Sequence, residues 1–129
     1  MVNKSKKILS EISAGELLDK ISILEIKLEK VEDTESLTEI KKEYEILTEV
    51  KNLNIEKNEK LKPLLIELKK INQNLWDIED KLRIFEKNKD FGEAFVKLAR
   101  DVYFNNDERA SIKSEINKTL GSNIREVKK

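Results

Sequence analysis

Four carboxylates and three cations carry the chemistry this chain could do. Glu16 and Asp19 stand three residues apart, as do Asp77 and Asp80. On a helix, residues three apart share a face. Two such pairs on facing helices would offer hard oxygen ligands to Mg²⁺, the arrangement of an all-α nucleotide-processing enzyme. Arg100, Arg109 and Lys113 could instead grip an anionic metabolite such as a sugar nucleotide, with Asn105 as an amide partner and Trp76 as a stacking surface. Both patterns have plain competitors. With 26 acids in 129 residues, spaced carboxylate pairs arise from composition alone, and Glu16 is accounted for by a helix cap. Arg100 and Arg109 are nine residues apart, which sets them about 180° apart around an ideal helix. Convergence on one small ligand is therefore difficult.

What is missing narrows the chemistry further. The chain has no Cys and no His, hence no thiol nucleophile, Ser-His triad, imidazole ligand or disulfide framework. Catalysis would fall to carboxylates, Lys, Arg, Tyr or a hydroxyl, and no cofactor or metal site is assigned. The formal net charge is zero, unlike the basic footprint of a nucleic-acid binder. No apolar run approaches membrane-spanning length, and the segment around Ile8 and Leu9 is too short for the core of a signal peptide. A cytoplasmic protein bound to neither nucleic acid nor membrane is expected. Three Gly and one Pro are too few for the turns of an all-β fold.

The elements that must position these residues are helices. "SAGE" reads as a capping box, with Ser13 as N-cap and Glu16 at N3. Leu17, Ile21, Leu24, Leu28 and Val31 then recur at the 3.5-residue period of helices packed lengthwise. Asp33 or Ser36 caps a second helix, whose stripe of Leu37, Ile40, Tyr44 and Leu47 runs to about Val50, and "NLNIEKNE" is a polar connector. A third helix starts near Glu59, with Pro63 tolerable in its first turn. Its seam is Leu61, Leu64, Leu68, Ile71, Leu75, Ile78, Leu82 and Phe85. About 28 residues at ~1.5 Å each span roughly 42 Å, so the molecule should be elongated. Asn88 suits a left-handed C-cap, and Asp90 with Glu93 a third capping box. The short link forces helix four back antiparallel along helix three, and Gly121 ends it.

The fold expected is all-α: an elongated antiparallel bundle of about four helices in two hairpins. Residues 1–12 form an extended or frayed lead-in, 13–121 a single helical domain and 122–129 a polar tail. Helix four carries one irregularity. Phe91, Phe95, Leu98 and Val102 lead in phase to Asn105, Arg109, Ile112 and Ile116, so "NND" is expected to leave the helix unbroken with two polar residues in its seam; the alternative is a three-residue break capped by Asn106 or Asp107. Polar residues in a seam are tolerated when hydrogen-bonded. A polar cluster of Glu16, Asp19, Glu25, Asp77, Asp80, Arg100, Asn105 and Arg109 is expected. In it Arg109 is buried against an acid of helix one, and Asp80 pairs with Arg100 across the hairpin.

Three stretches carry a resemblance: "ISAGELLDKISILEIKLEKV", "LWDIEDKLR" and "FVKLARDVYFNNDERASIKSEINKTLGS". Together they resemble an uncharacterised bacterial family known as a domain of unknown function, over roughly residues 10–125. The resemblance implies signature positions at Glu16, Asp19, Lys20, Trp76, Glu79, Asp80, Arg100, Tyr103, Asn106, Asp107, Arg109 and Lys113. It supplies no activity, and its neighbours point only to a surface-glycan setting. The lead-in "KKILSEIS" departs from the family's more apolar, Pro-containing pattern. The function expected is a scaffold or interaction module that self-associates as a homodimer, burying a second stripe of Ile23, Ile26, Leu65 and Ile84. The alternatives are the metabolite-binding domain at Trp76, Arg100, Asn105, Arg109 and Lys113, and the Mg²⁺ enzyme.

Overall fold

The computed structural model describes residues 6–128. Within them lie four helices: α1 (Ala14–Lys30), α2 (Thr34–Asn54), α3 (Leu61–Lys87) and α4 (Glu93–Leu120), with no strand among the described residues. Ser13 caps α1, its hydroxyl accepting from the Glu16 amide, and Asp33 caps α2 through the Ser36 amide. α4 runs unbroken through Asn105, Asn106 and Asp107. Gly121 follows in the left-handed conformation at φ 63°. The Ser122 amide bonds back to the Asn117 carbonyl at 2.9 Å, which closes a Schellman turn. Among the described residues no helix is long and apolar enough to cross a membrane.

Three boundaries differ from expectation. α2 extends to Asn54 rather than Val50, because Asn54 Nδ2 donates back to the Val50 carbonyl at 2.8 Å and Ile55 anchors the turn on the core. The left-handed residue between α3 and α4 is Lys89 (φ 55°), not Asn88. The Asp90 amide reaches the Phe85 carbonyl at 2.9 Å, and this places the sign change one residue later. α4 is capped at Gly92, not Asp90; the Asp90 carboxylate accepts from the Gly92 amide at 3.2 Å.

The arrangement is a hairpin of α3 and α4 with α1 laid on one half of it. α1 is the hub: the helix pairs in close contact are α1 with each of the other three, and α3 with α4. α2 therefore hangs from α1 and has no buried residue of its own. The core gathers Leu17, Leu18 and Ile21 from α1, Leu61, Leu68, Ile71 and Leu75 from α3, and Ile112 and Ile116 from α4. Burying each contributes on the order of 1.5–3 kcal/mol. From Trp76 through Ser111, by contrast, no residue is buried. The accessible surface is 9965 Å², against about 7,100 Å² for a compact monomer of this mass. The excess reflects the exposed hairpin end together with the exposed segments before α1 and after α4.

Candidate functional site

The charged residues meet where α1 crosses the α3–α4 hairpin. Gly15 makes the approach close. A Cβ there would lie 2.7 Å from the Lys113 carbonyl oxygen, so the two backbones touch with no room for a side chain. The first-turn amides of α1 have no partners within their own helix. Here α4 and the turn after it supply them: the Gly15 amide donates to Asn117 Oδ1 at 2.7 Å and the Ala14 amide to Ser122 Oγ at 3.0 Å. Asn117 is 2% exposed.

One turn further along α1 lies Asp19, 1% exposed. Burying an ionised carboxylate costs several kcal/mol unless it is paired and hydrogen-bonded. Asp19 is both. Arg109 of α4 grips it with two nitrogens, Nε donating to Oδ1 at 2.9 Å and Nη2 to Oδ2. Asn72 of α3 donates to Oδ1 at 3.0 Å and also to Ser22 Oγ at 3.3 Å. Lys113, one turn beyond Arg109, lies 3.8 Å from Asp19 and bonds Glu16 at 2.9 Å. Asn106 accepts from the remaining Arg109 terminal nitrogen at 3.3 Å. Three helices are thus tied through one carboxylate.

The segment after α4 closes the cluster. Glu126 lies 3.2 Å from Lys113, Lys128 3.0 Å from Asp107, and Asn123 donates to Glu11 at 2.7 Å. Residues 122–128 therefore strap α4 and the lead-in rather than trailing away. Hydrogen bonding to Asp19 holds the Arg109 guanidinium above its ordinary pKa, more than offsetting its burial. For Lys113 burial pulls the ammonium down, but bonds to Glu16 and Glu126 and the charge of Asp19 raise it overall.

The expected cluster is assembled in part. Glu16, Asp19, Arg109 and Lys113 meet; Asp77, Asp80 and Arg100 do not join them, being exposed on the projecting half of the hairpin. Arg100 does not pair with Asp80. Its Nε donates to Tyr103 Oη at 3.3 Å, and its guanidinium lies over the Phe104 ring at 5.8 Å. Asn105 turns back on its own helix, donating to the Asp101 carbonyl at 2.8 Å; its neighbour Asn106 takes the place beside Arg109. Glu25 lies off the cluster, 3.9 Å from Lys69. Trp76 is half-buried and absent from the concavity of about 580 Å³ that Glu16, Asn106, Arg109, Lys113, Glu126 and Lys128 line. With Asp77 and Asp80 turned outward, the two carboxylate pairs do not face each other. Among the described residues no group of three or more acids could hold a metal ion.

Sequence reasoning missed Ser22, Asn117, Ser122 and Glu126. Ser22 carried a signal, since it stands three residues after Asp19 on the same helical face. Asn117 likewise follows Lys113 by four. Glu126 carried none, as a lone acid in a polar tail.

Chemically, both Asp19 oxygens accept from the guanidinium, which holds the carboxylate in place. Two cations face three acids, with the amides of Asn72 and Asn106 completing the set. The arrangement is an inter-helix lock within an all-α bundle. The chain belongs to a family of unknown function, DUF6165, whose profile matches residues 8–129 and so takes in the strap as well as the helices. No curated protein and no solved structure matches the chain.

Proposed function

We propose that this protein is a helical interaction module that pairs with a second copy through the projecting end of its α3–α4 hairpin. The observation that carries the reading is the apolar surface there. Ile84 is 59% exposed, Val96 51%, and Phe91, Tyr103 and Phe104 49% each. Phe95 packs edge-on against Phe85 and Phe91, but nothing covers this layer from outside. Two helices can shield only one side of each other's stripe, and a bundle closes when two more are added. A second hairpin end supplies that number.

The stripe expected from sequence is not the surface involved. Ile26 is 1% exposed beneath α2, and only Ile84 of that set lies on the hairpin end. The same proposal keeps the cytoplasmic setting, apart from nucleic acid and membrane, expected from composition.

An anion site at Arg109 and Lys113 has less support, because Asp19, Glu16 and Glu126 already occupy both cations. The test is size-exclusion chromatography with light scattering. A mass near twice 15.1 kDa at high micromolar concentration, falling to one copy in Val96→Glu/Phe104→Glu, is expected. A single-copy mass throughout overturns the proposal.

A further inference from the structure

A second surface lies on the other half of the molecule. α2 packs along α1 without reaching α3, so a trough of about 670 Å³ opens between α2 and α3. Its floor is apolar, formed by Leu18 and Ile21 of α1 with Leu65 and Ile66 of α3. Its rim carries Lys51 from α2 and Lys62, Lys69 and Lys70 from α3, with one acid, Glu25 of α1. Lys69 is taken up by Glu29 at 3.3 Å and Glu25 at 3.9 Å. Lys51, Lys62 and Lys70 have no acid partner among the described residues. In a chain of zero net charge, this is a local surplus of positive charge around an apolar floor.

The α3 residues on this trough are Lys62, Leu65, Ile66, Lys69, Lys70 and Gln73. They recur at the spacing of one helical face, distinct from the seam of Leu61, Leu64, Leu68, Ile71 and Leu75 that meets α4. From Lys62 to Gln73 the face is about 17 Å long at ~1.5 Å per residue, the length of three helical turns. The trough is open along its length, whereas small-molecule sites bury most of their ligand. A concave face between two helices, with apolar floor and charged rim, matches helix-in-groove recognition.

We propose that this trough docks an acidic amphipathic helix of a partner protein, about three turns long. Leu or Ile at i, i+3, i+4 and i+7 seat on Leu65, Ile66, Leu18 and Ile21, while flanking Glu or Asp face Lys51, Lys62 and Lys70. Charge complementarity selects the partner, since a basic helix would meet three unpaired lysines. A flat lipid surface reaches the lysines and Ile66 but not Leu18 and Ile21, which are buried.

The probe is a fluorescein-labelled synthetic helix of four turns, with Leu on one face and Glu on both flanks, titrated with the full chain. Its control carries Lys in place of every Glu. Saturable binding of the Glu peptide alone is expected, weakening with added salt as rim charges are screened. Lys62→Glu/Lys70→Glu should lower affinity at least about tenfold, equivalent to roughly 1.4 kcal/mol. Ile66→Ser, at a residue 65% exposed, should weaken binding with the helical circular dichroism unchanged.

No binding, equal binding of both peptides, or full binding by the lysine variant overturns the proposal. So does phosphatidylserine-vesicle sedimentation lost in that variant, which would assign the lysines to a membrane. A change in the oligomeric mass of that variant would assign the trough to a second copy. Neither Lys62 nor Lys70 lies on the hairpin end, so loss of pairing there leaves this result standing.

Discussion

The two halves of the α3–α4 hairpin invert the ordinary distribution of polarity. Where α1 covers it, a carboxylate and a lysine are buried, Asp19 at 1% and Lys113 at 7% exposed. Where it projects, Phe91, Val96 and Phe104 lie in solvent. Without a third helix, the projecting half can bury nothing. The covered half can bury charge because three helices converge on one carboxylate and satisfy it. The apolar stripe is continuous through both halves. What changes along it is the company, and that alone turns a polar interruption into a lock and an aromatic stretch into a surface.

The sharpest way to break this contrast is at Asp19. Asp19→Ala strands Arg109, whose guanidinium keeps its charge at any usable pH, and leaves Asn72 only Ser22 as acceptor. A loss of about 3–5 kcal/mol is expected in urea melts. Arg109→Met should cost less, because Asp19 keeps Asn72 and Lys113; the reverse order would show that the guanidinium, not the carboxylate, organises the crossing. Gly15→Ala forces a methyl against the Lys113 carbonyl, and overpacking of this kind costs about 1–3 kcal/mol. Melting like the parent would mean that α1 can lift from α4 at no cost.

On the projecting half the expectation reverses. Phe104→Ser, measured at low micromolar concentration, should shift stability by no more than about 0.5 kcal/mol, while changing the mass at high concentration. Lys89→Gly should stabilise by about 1 kcal/mol, because a side chain in the left-handed region is strained. Alkali gives a last distinction. Lys113 is raised on folding, so its contribution is intact below the unfolded lysine pKa of about 10.4. It is lost as pH climbs through the higher folded value. A Lys113→Met chain should show a flatter stability profile above that point.

Much of this was legible in the sequence, and the reasons are specific. The 3.5-residue rhythm holds through Val102, Asn105 and Arg109, so the continuity of α4 was readable, as was an ion pair from Arg109 to helix one. Which residues join the pair was not. Hairpin level can be counted from the turn, and it set Asp80 opposite Arg100. Level does not determine the direction in which a side chain leaves its helix, and both point to solvent. The hub role of α1 was hidden for a related reason. Leu17, Leu18, Ile21, Leu24 and Ile26 bury more than one face, and periodicity does not say how many neighbours share them. The strap was unreadable, because "SNIREVKK" has no period at all.

The amides of Ala14 and Gly15 bond to Ser122 and Asn117, across 108 and 102 residues of chain. This sets an order of assembly. The α3–α4 hairpin closes over a short link, where the entropy of loop closure is small. The start of α1 acquires these partners only after residues 117 and 122 have emerged. Until then the first turn of α1 lacks the acceptors that α4 and the turn after it supply.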